Sequence, residues 1–356
     1  MNNDIIFTEA KISKLALHRV GNKSRQEGIF PSKKLLQLKD DGFKTDLQKF
    51  FLSHFKTDIF YHFGHSVELS MNELFNYCSH IFEDPYSTEL FYEESVNMLR
   101  QLYECSDHNK INDGELYVAH FEDIVLNDEL VDAIGIFKVE TRDKFLKLRL
   151  DEDNDWELYF DEGTNIENLD KGCLIFNTSA EEGYRIVSVD MKGGDAKYWR
   201  DDFLMLTQLH DDNFYTKSYL NLCKQFGKTQ FEADEKQDQI SFLNKSIEYF
   251  NSHEAFDFEE LAGDLFEDNN DRKEQFKEYK GRYQEKEGLL PEEENFFIAA
   301  PLVKKAEKSF RKIIQLDSSV EIKINSSSVH EDGTVERGYD AEKGMHYYKI
   351  YFNDEK

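Results

Sequence analysis

Residues 114–140 read GELYVAHFEDIVLNDELVDAIGIFKVE, and they begin a part of the chain in which runs of β-forming residues alternate with turn residues. The pattern continues to Met191. The runs cover residues 116–121, 133–140, 145–150, 156–160, 173–177 and 184–189. Short strands at this spacing are typical of an antiparallel sheet whose strands follow one another along the chain. We therefore predict an antiparallel β-meander between residues 114 and 191.

Upstream of this sheet, the sequence predicts one strand and three helices. Apolar residues in the segment 5–20 precede Gly21, which indicates an opening strand closed by a turn. Apolar side chains recur at helical spacing within residues 33–55, and the same spacing occurs twice within residues 71–105. Together with the meander, these elements form a predicted α+β domain at residues 1–211.

Downstream of this domain, helical spacing returns, and we predict a helical region at residues 212–318. The charged segment 268–286 has little apolar support, so we expect a solvated connector or exposed helix end there. Pro291 and Pro301 suit the first turns of two further helices. We predict a C-terminal β tail at residues 319–356. It forms a β-hairpin unit with its turn at Asp332 and Gly333. The predicted fold class is thus α+β, with a mixed domain, a helical region and a β-hairpin unit in that order.

The composition excludes several classes of protein. The chain has 356 residues, 72 acidic and 44 basic, for a net charge of −28, and 14% of its residues are aromatic. We expect the 30 Phe and 18 Tyr residues to fill the core rather than to stack on bases. No apolar run is long enough to span a membrane. The four cysteines stand apart, which indicates reduced thiols in a cytoplasmic protein.

No sequence pattern indicates an enzyme. The phosphate-binding motifs GxxxxGK[ST] and GxGxxG are absent. His62 and His65 are either surface or packed residues, or ligands of a metal site that would need further ligands such as His54 or His80. The acidic run at residues 151–155 lacks the spacing of a calcium loop, so we expect a solvated loop. We therefore predict no catalytic, cofactor-binding or metal-binding residues.

Charge is distributed unevenly along the sequence. Residues 11–34 contain a single acid and several bases, namely Lys11, Lys14, Arg19, Lys23, Arg25, Lys33 and Lys34. Residues 83–132 instead contain fourteen acids and two bases. A helix after Pro301 would carry five cations within an arc of about 120°, opposite its apolar residues. These cations are Lys304, Lys305, Lys308, Arg311 and Lys312. Such a stripe is either an ordinary solvated helix face or a surface that contacts nucleic-acid phosphates.

Several segments resemble one bacterial family. They are residues 12–18 (ISKLALH), 116–120 (LYVAH), 198–204 (YWRDDFL), 217–220 (KSYL) and the helical block 256–266. In order and spacing they resemble the nucleoid-associated proteins of the NdpA type. The resemblance implies a non-enzymatic cytoplasmic protein that co-localises with the nucleoid and binds DNA, with DNA-topology enzymes such as topoisomerase IV as candidate partners.

Two functional hypotheses follow from these observations. In the first, the protein binds double-stranded DNA with modest affinity through the basic residues after Pro301 and those at residues 11–34. In the second, it is an adaptor whose acidic segment 83–132 docks on a basic DNA-handling protein. The sequence leaves the oligomeric state open, and a homodimer is compatible with both hypotheses.

Overall fold

The computed structural model describes residues 5–351 except 57–58, 151, 192–196, 232–235, 288–294, 311–312, 316–320 and 324–334. The chain divides into two compact units, Asn3–Leu209 and His210–Lys356. The predicted α+β class is confirmed: an antiparallel sheet occupies the N-terminal half, helices follow it, and strand pairs lie near the C-terminus. The described part of the chain contains no helix with the length and apolar character of a membrane span.

The N-terminal unit is built on one antiparallel sheet. The strands described in this unit are β1 (Ile5–Ile6), β2 (Lys11–Val20), β3 (Ile29–Phe30), β4 (Tyr61–Phe63), β5 (Gly114–Leu126), β6 (Glu129–Val139), β7 (Asp143–Leu150), β8 (Trp156–Gly163), β9 (Lys171–Phe176), β10 (Arg185–Asp190) and β11 (Leu206–Gln208). Its helices are α1 (Asp41–Leu52), α2 (Glu73–Glu83) and α3 (Thr88–Cys105). The strand order in the sheet is β11-β4-β10-β9-β6-β5-β2-β3, and β1 pairs with β5.

Helices cover both faces of this sheet. On β5, Leu116 and Val118 belong to a core that also contains residues of α2 and α3. The alternate residues Ala119 and Phe121 belong to a second core, which includes Phe51 of α1. Because successive strand residues point to opposite faces, β5 is buried on both sides. All residues of the central strand β9 are buried, and so are the last seven of the eleven residues of β6.

The predicted runs of β residues all form strands, but the meander itself is interrupted. Among the described strands, β7 and β8 pair with each other and with no other strand, while β6 pairs directly with β9 in the register Ala133↔Phe176. Both edges of β6 are occupied, by β5 and by β9, so the β7–β8 hairpin has no place in the sheet. The helix predicted within residues 33–55 begins only at Asp41, because the side chain of Asp40 caps it by accepting a hydrogen bond from the Phe43 N–H.

The C-terminal unit contains a group of helices around an aromatic core. The helices are α4 (Asp212–Thr229), α5 (Lys236–Ser252), α6 (Phe258–Phe266), α7 (Asn270–Glu287) and α8 (Ala300–Phe310). In the described part of the chain after α8, β12 (Ile313–Gln315) pairs with β13 (Glu321–Lys323), and β14 (Val335–Asp340) pairs with β15 (Met345–Ile350). Phe226 lies within 4.9 Å of the ring of Phe276 and 5.2 Å of the ring of Phe242, measured between ring centroids.

Two predictions for this unit were wrong in part. Segment 268–286 was expected to be a solvated connector or an exposed helix end, and most of it forms helix α7, but Phe276 on this helix is fully buried in the core. The helix after Pro301 ends at Phe310, and the apolar residues Ile313 and Ile314 lie in strand β12 instead. Pro291 and the predicted turn at Asp332 and Gly333 lie outside the described residues. The hairpin that is described turns at residues 341–344.

Candidate nucleic-acid interface

Helix α8 places its first lysines on the outside of the C-terminal unit. Leu302, Val303 and Phe310 are buried, and α8 packs against α4 and α5. Lys304 and Lys305 lie on the opposite, exposed side of the helix. Pro301 stands in the first turn, where its missing N–H costs no hydrogen bond. Lys308 also belongs to α8, whereas Arg311 and Lys312 lie outside the described residues.

A second basic face lies on α4, and the sequence analysis missed it. Lys217, Lys224 and Lys228 occupy positions i, i+7 and i+11, which fall within about 40° on a helix. Lys217 and Lys228 are exposed and Lys224 is half-buried. Asp212 is the one acidic residue in the helix sequence. The sequence signal for this basic face is the helical spacing of the three lysines. Most residues between them face the core, so the lysines share the outer side of α4.

The α4 lysines are available to an anion. Neither the described carboxylates nor any other described group forms an ion pair with Lys217, Lys224 or Lys228. The same holds for Lys304 on α8, within the residues that the structure describes. The stripe on α4 extends for about 16 Å along the helix axis, at 1.5 Å per residue. Duplex DNA carries one negative charge for about every 1.7 Å of its axis, so a stripe of this length faces several phosphates.

The basic residues of segment 11–34 are mostly matched with carboxylates. The ion pairs are Lys11–Asp123 at 2.7 Å, Arg19–Asp113 at 2.7 Å, Lys23–Glu104 at 2.6 Å and Arg25–Glu27 at 2.7 Å. The hydrogen bond from Asp123 raises the pKa of Lys11, and Glu104 raises the pKa of Lys23 in the same way. Lys14 donates to the carbonyl oxygen of Pro85. Lys33 and Lys34 are exposed and have no ion pair among the described residues.

These ion pairs follow from the order of the strands. Strand β2 carries the basic segment and lies beside β5, which begins within the acidic segment 83–132, in the register Arg19↔Glu115. Asp113 and Asp123, which pair with β2, stand next to or within β5. Three bases of the basic segment therefore pair with acids of the acidic segment in the folded N-terminal unit.

Two histidines and two cysteines are wholly or partly buried, and their pKa values are shifted. Burial lowers the pKa of His18 to about 4 and that of His120 to about 4, so both are neutral at pH 7. Burial raises the pKa of Cys105 to about 11 and that of Cys223 to about 12, which disfavours the reactive thiolate. The described residues contain no group of three or more His, Cys, Asp and Glu side chains that could hold a metal ion.

Comparison with known protein families identifies a match over most of the chain. The family described as nucleoid-associated protein YejK matches residues 16–345, which is most of the chain. The chain belongs to this family. Among the curated proteins, none gives a significant match to this sequence.

The family match covers both compact units. It includes all of α4 and α8, and it ends within the β14–β15 hairpin. Lys11 and Lys14 precede it, whereas the exposed lysines of α4 and α8 lie inside it. The resemblance noted in the sequence is thereby confirmed, and the chain is a member of a nucleoid-associated family.

Proposed function

We propose that this nucleoid-associated protein binds double-stranded DNA directly and contributes to chromosome organisation without catalysing a reaction. The observation that carries the proposal is the set of exposed lysines on α4 and α8, because Lys217, Lys228 and Lys304 have no carboxylate partner among the described residues. A cation without a partner can replace the counterions that condense on DNA, and their release favours binding. The proposed contacts also include Lys224, Lys305 and Lys308, with Arg311 and Lys312 at the end of the same segment.

The ion-paired residues of segment 11–34 contribute less in this proposal. Lys11, Arg19 and Lys23 would each have to exchange a carboxylate for a phosphate, which releases little free energy. Lys33 and Lys34 are exposed and remain part of the proposed contact surface. Phosphate contacts position a protein on DNA without reading its sequence, so we expect no strong sequence preference.

The net charge of −28 limits the affinity but does not prevent binding. Charges separated by more than about 8 Å are largely screened at physiological salt. Acidic residues far from the lysine faces therefore repel DNA weakly, and those nearby set a modest affinity.

Salt dependence tests the proposal. If about five phosphates are neutralised, the logarithm of the binding constant should fall against the logarithm of salt concentration with a slope of about −4 to −5. Replacing Lys217, Lys224 and Lys228 together with Gln should reduce this slope to about −2, because each lost contact removes about 0.9. Fluorescence anisotropy with a labelled duplex at several salt concentrations measures both slopes.

A matched variant controls for net charge. Lys11→Gln, Arg19→Gln and Lys23→Gln also remove three positive charges, but from residues that are already paired with carboxylates. This variant should keep a slope close to that of the original protein. A flat salt response of the unmodified chain would contradict direct binding. Unchanged binding after Lys304, Lys305 and Lys308 are all replaced by Glu would remove α8 from the interface.

A second candidate function is the adaptor that docks on a DNA-handling protein such as topoisomerase IV. It is favoured by Tyr86, which is 88% exposed and lies among the exposed acids Glu83, Asp84 and Glu89. An exposed aromatic ring beside carboxylates suits a basic partner surface. Affinity purification with and without nuclease separates the two functions. Partners that remain after nuclease treatment, and are lost when these acids become amides, would support the adaptor.

A further inference from the structure

The hairpin formed by β7 and β8 is a separate two-stranded ribbon with both faces exposed. Its strands pair in the register Leu146↔Phe160, Leu148↔Leu158 and Leu150↔Trp156. Every residue of the two strands is exposed except Gly163, which is half-buried. An isolated two-stranded ribbon is marginally stable in water, so a persistent one needs a surface to pack on.

One face of the ribbon is apolar along most of its length. Directly paired residues lie on the same face of a sheet, so the three pairs above form a continuous patch. Its members are Leu146, Leu148, Leu150, Trp156, Leu158 and Phe160, which are 51–72% exposed. At roughly 100 Å² of exposed surface for each side chain, the patch amounts to about 600 Å². A patch of this size on one small element marks an interaction site.

Most of the charged residues on β7 and β8 form ion pairs within the ribbon. Lys147 lies 2.7 Å from Asp161 and Arg149 lies 2.6 Å from Glu157, both on the face opposite the apolar patch. Lys144 and Glu162 form a pair at 3.5 Å at the base of the ribbon. Neither DNA nor a charged partner protein would therefore find a complementary charge on the apolar patch.

The base of the ribbon is held by the sheet. The buried carboxylate of Asp170 accepts hydrogen bonds from the Glu140 N–H at 2.6 Å and the Thr141 N–H at 2.8 Å. The Thr141 hydroxyl donates to the other oxygen of Asp170 at 2.8 Å. These contacts fix the chain where it leaves β6 for the ribbon, so the apolar patch is presented by an anchored element.

We propose that the apolar patch of the β7–β8 ribbon packs on the same patch of a second copy of this chain. Two patches brought face to face would bury about 1,200 Å², which reaches the range of specific protein interfaces. A two-fold axis would set the leucine row of β7 in one copy against Trp156, Leu158 and Phe160 of the other. Two chains of charge −28 repel each other, and this uncharged patch is a place where they can approach.

The oligomeric state in solution tests this inference. At tens of micromolar, the unmodified chain should have twice the mass of 42.0 kDa in light scattering after size-exclusion chromatography. Leu148→Asp should raise the dissociation constant on the order of a hundredfold or more, because the symmetric interface receives the charge twice. The matched control is Val67→Asp, at a position that is 73% exposed in the same unit and away from the ribbon, and it should leave the dimer intact.

Tryptophan fluorescence gives an independent measurement. The chain has two tryptophans, of which Trp156 is 72% exposed and Trp199 is buried. Acrylamide should quench the fluorescence of Trp156 in the dilute, monomeric protein. As the protein concentration rises above the dissociation constant of the dimer, the interface should cover Trp156 and quenching should decrease. In Leu148→Asp, quenching should not depend on concentration. Leu158→Asp, on the other strand, provides the same test if circular dichroism shows that the first variant is misfolded.

Two results would overturn the inference. If the unmodified chain has the mass of a monomer throughout this concentration range, the patch is covered by a different protein or by none. If the chain dimerises and folded Leu148→Asp and Leu158→Asp variants remain dimeric, the dimer uses another surface. Neither result depends on DNA binding, so this inference can fail while the proposed function holds.

Discussion

At the scale of single residues, the buried histidines are structural. His18 lies on β2, where its Nδ1 accepts a hydrogen bond from the Ser32 N–H at 3.1 Å. Its Nε2 lies 2.9 Å from the Ser95 hydroxyl oxygen, so the neutral ring has a partner at each nitrogen. The position of His18 on a strand could be predicted from the alternating apolar pattern. Its partners could not, because Ser95 is 77 residues away in the sequence.

The pKa of His18 predicts how stability depends on pH. Burial lowers this pKa from 6.5 to about 4, so between these values the unfolded chain binds a proton that the folded chain does not. Acidification from about pH 6.5 to about pH 4 should therefore reduce the free energy of unfolding. In His18→Gln, the slope of the free energy of unfolding against pH should correspond to about one proton fewer than in the unmodified chain. Urea unfolding, followed by tryptophan fluorescence at a series of pH values, measures the effect in the N-terminal unit.

An exposed histidine provides the control for this prediction. His108 lies on the surface of the same unit, and His108→Gln should have a pH dependence close to that of the unmodified chain. If the curves for His18→Gln and the unmodified chain run parallel between about pH 6.5 and about pH 4, His18 is not the group responsible.

At the scale of secondary-structure elements, periodicity predicted most helices and strands but not their partners. Strands β6 and β9 were predicted from their apolar runs, and the structure confirms both. Runs of β-forming residues also predicted β7 and β8, because an exposed strand and a buried strand can have similar amino-acid compositions. Strand pairing depends on which edges are free after β6 has paired with β5 and β9. That information lies in the folded arrangement, so the sequence pattern alone could not separate the ribbon from the sheet.

Helix α7 shows how a few aromatic residues outweigh a charged sequence. Phe276, Tyr279 and Tyr283 stand at i, i+3 and i+7, which is one face of a helix. This face packs on the aromatic core, while the many charged residues of α7 face outward. The mean composition of the segment concealed the stripe, and this is why its packing against the core was not predicted.

Phe276 should therefore contribute strongly to stability. The ring is fully buried, with its centroid 4.9 Å from that of Phe226 and 5.2 Å from that of Phe258. Phe276→Ala should lower the free energy of unfolding of the C-terminal unit by about 3–5 kcal/mol, because it leaves a cavity in a packed core. Far-UV circular dichroism during urea unfolding measures the loss. Glu274→Ala, at an exposed neighbouring position, is the control. If both variants change the free energy of unfolding by the same small amount, α7 contributes little to the core.

At the scale of the whole molecule, charge along the sequence differs from charge in space. The sequence has a basic segment and an acidic segment far apart, which predicts a polarised protein. The pairing of β2 with β5 brings Lys11 to Asp123 and Arg19 to Asp113. The three lysines of α4 are a smaller excess of positive charge in the sequence than those at residues 11–34, yet the fold leaves them without carboxylate partners among the described residues. The candidate DNA surface was thus only partly predictable, since long-range pairing decides which cations stay available.

The two proposals together predict how DNA length affects binding. A dimer would carry two sets of lysine faces, and a duplex long enough to reach both would be bound twice by one particle. Leu148→Asp should then weaken binding to a duplex of about 60 base pairs on the order of a hundredfold, because the second contact is no longer intramolecular. Binding to a duplex of about 10 base pairs should be unchanged, since it reaches one set only.

Anisotropy measurements at one salt concentration with both duplexes test this prediction, and Val67→Asp should behave as the unmodified chain does. A similar loss on both duplexes would mean that Leu148→Asp disturbs the lysine faces themselves. An undiminished affinity for the long duplex, in a variant shown to be monomeric, would mean that one copy makes all the contacts. A loss of affinity confined to the long duplex would show that the ribbon interface contributes to DNA binding. Dimerisation changes the number of phosphates that one particle contacts, whereas each lysine face stays unchanged.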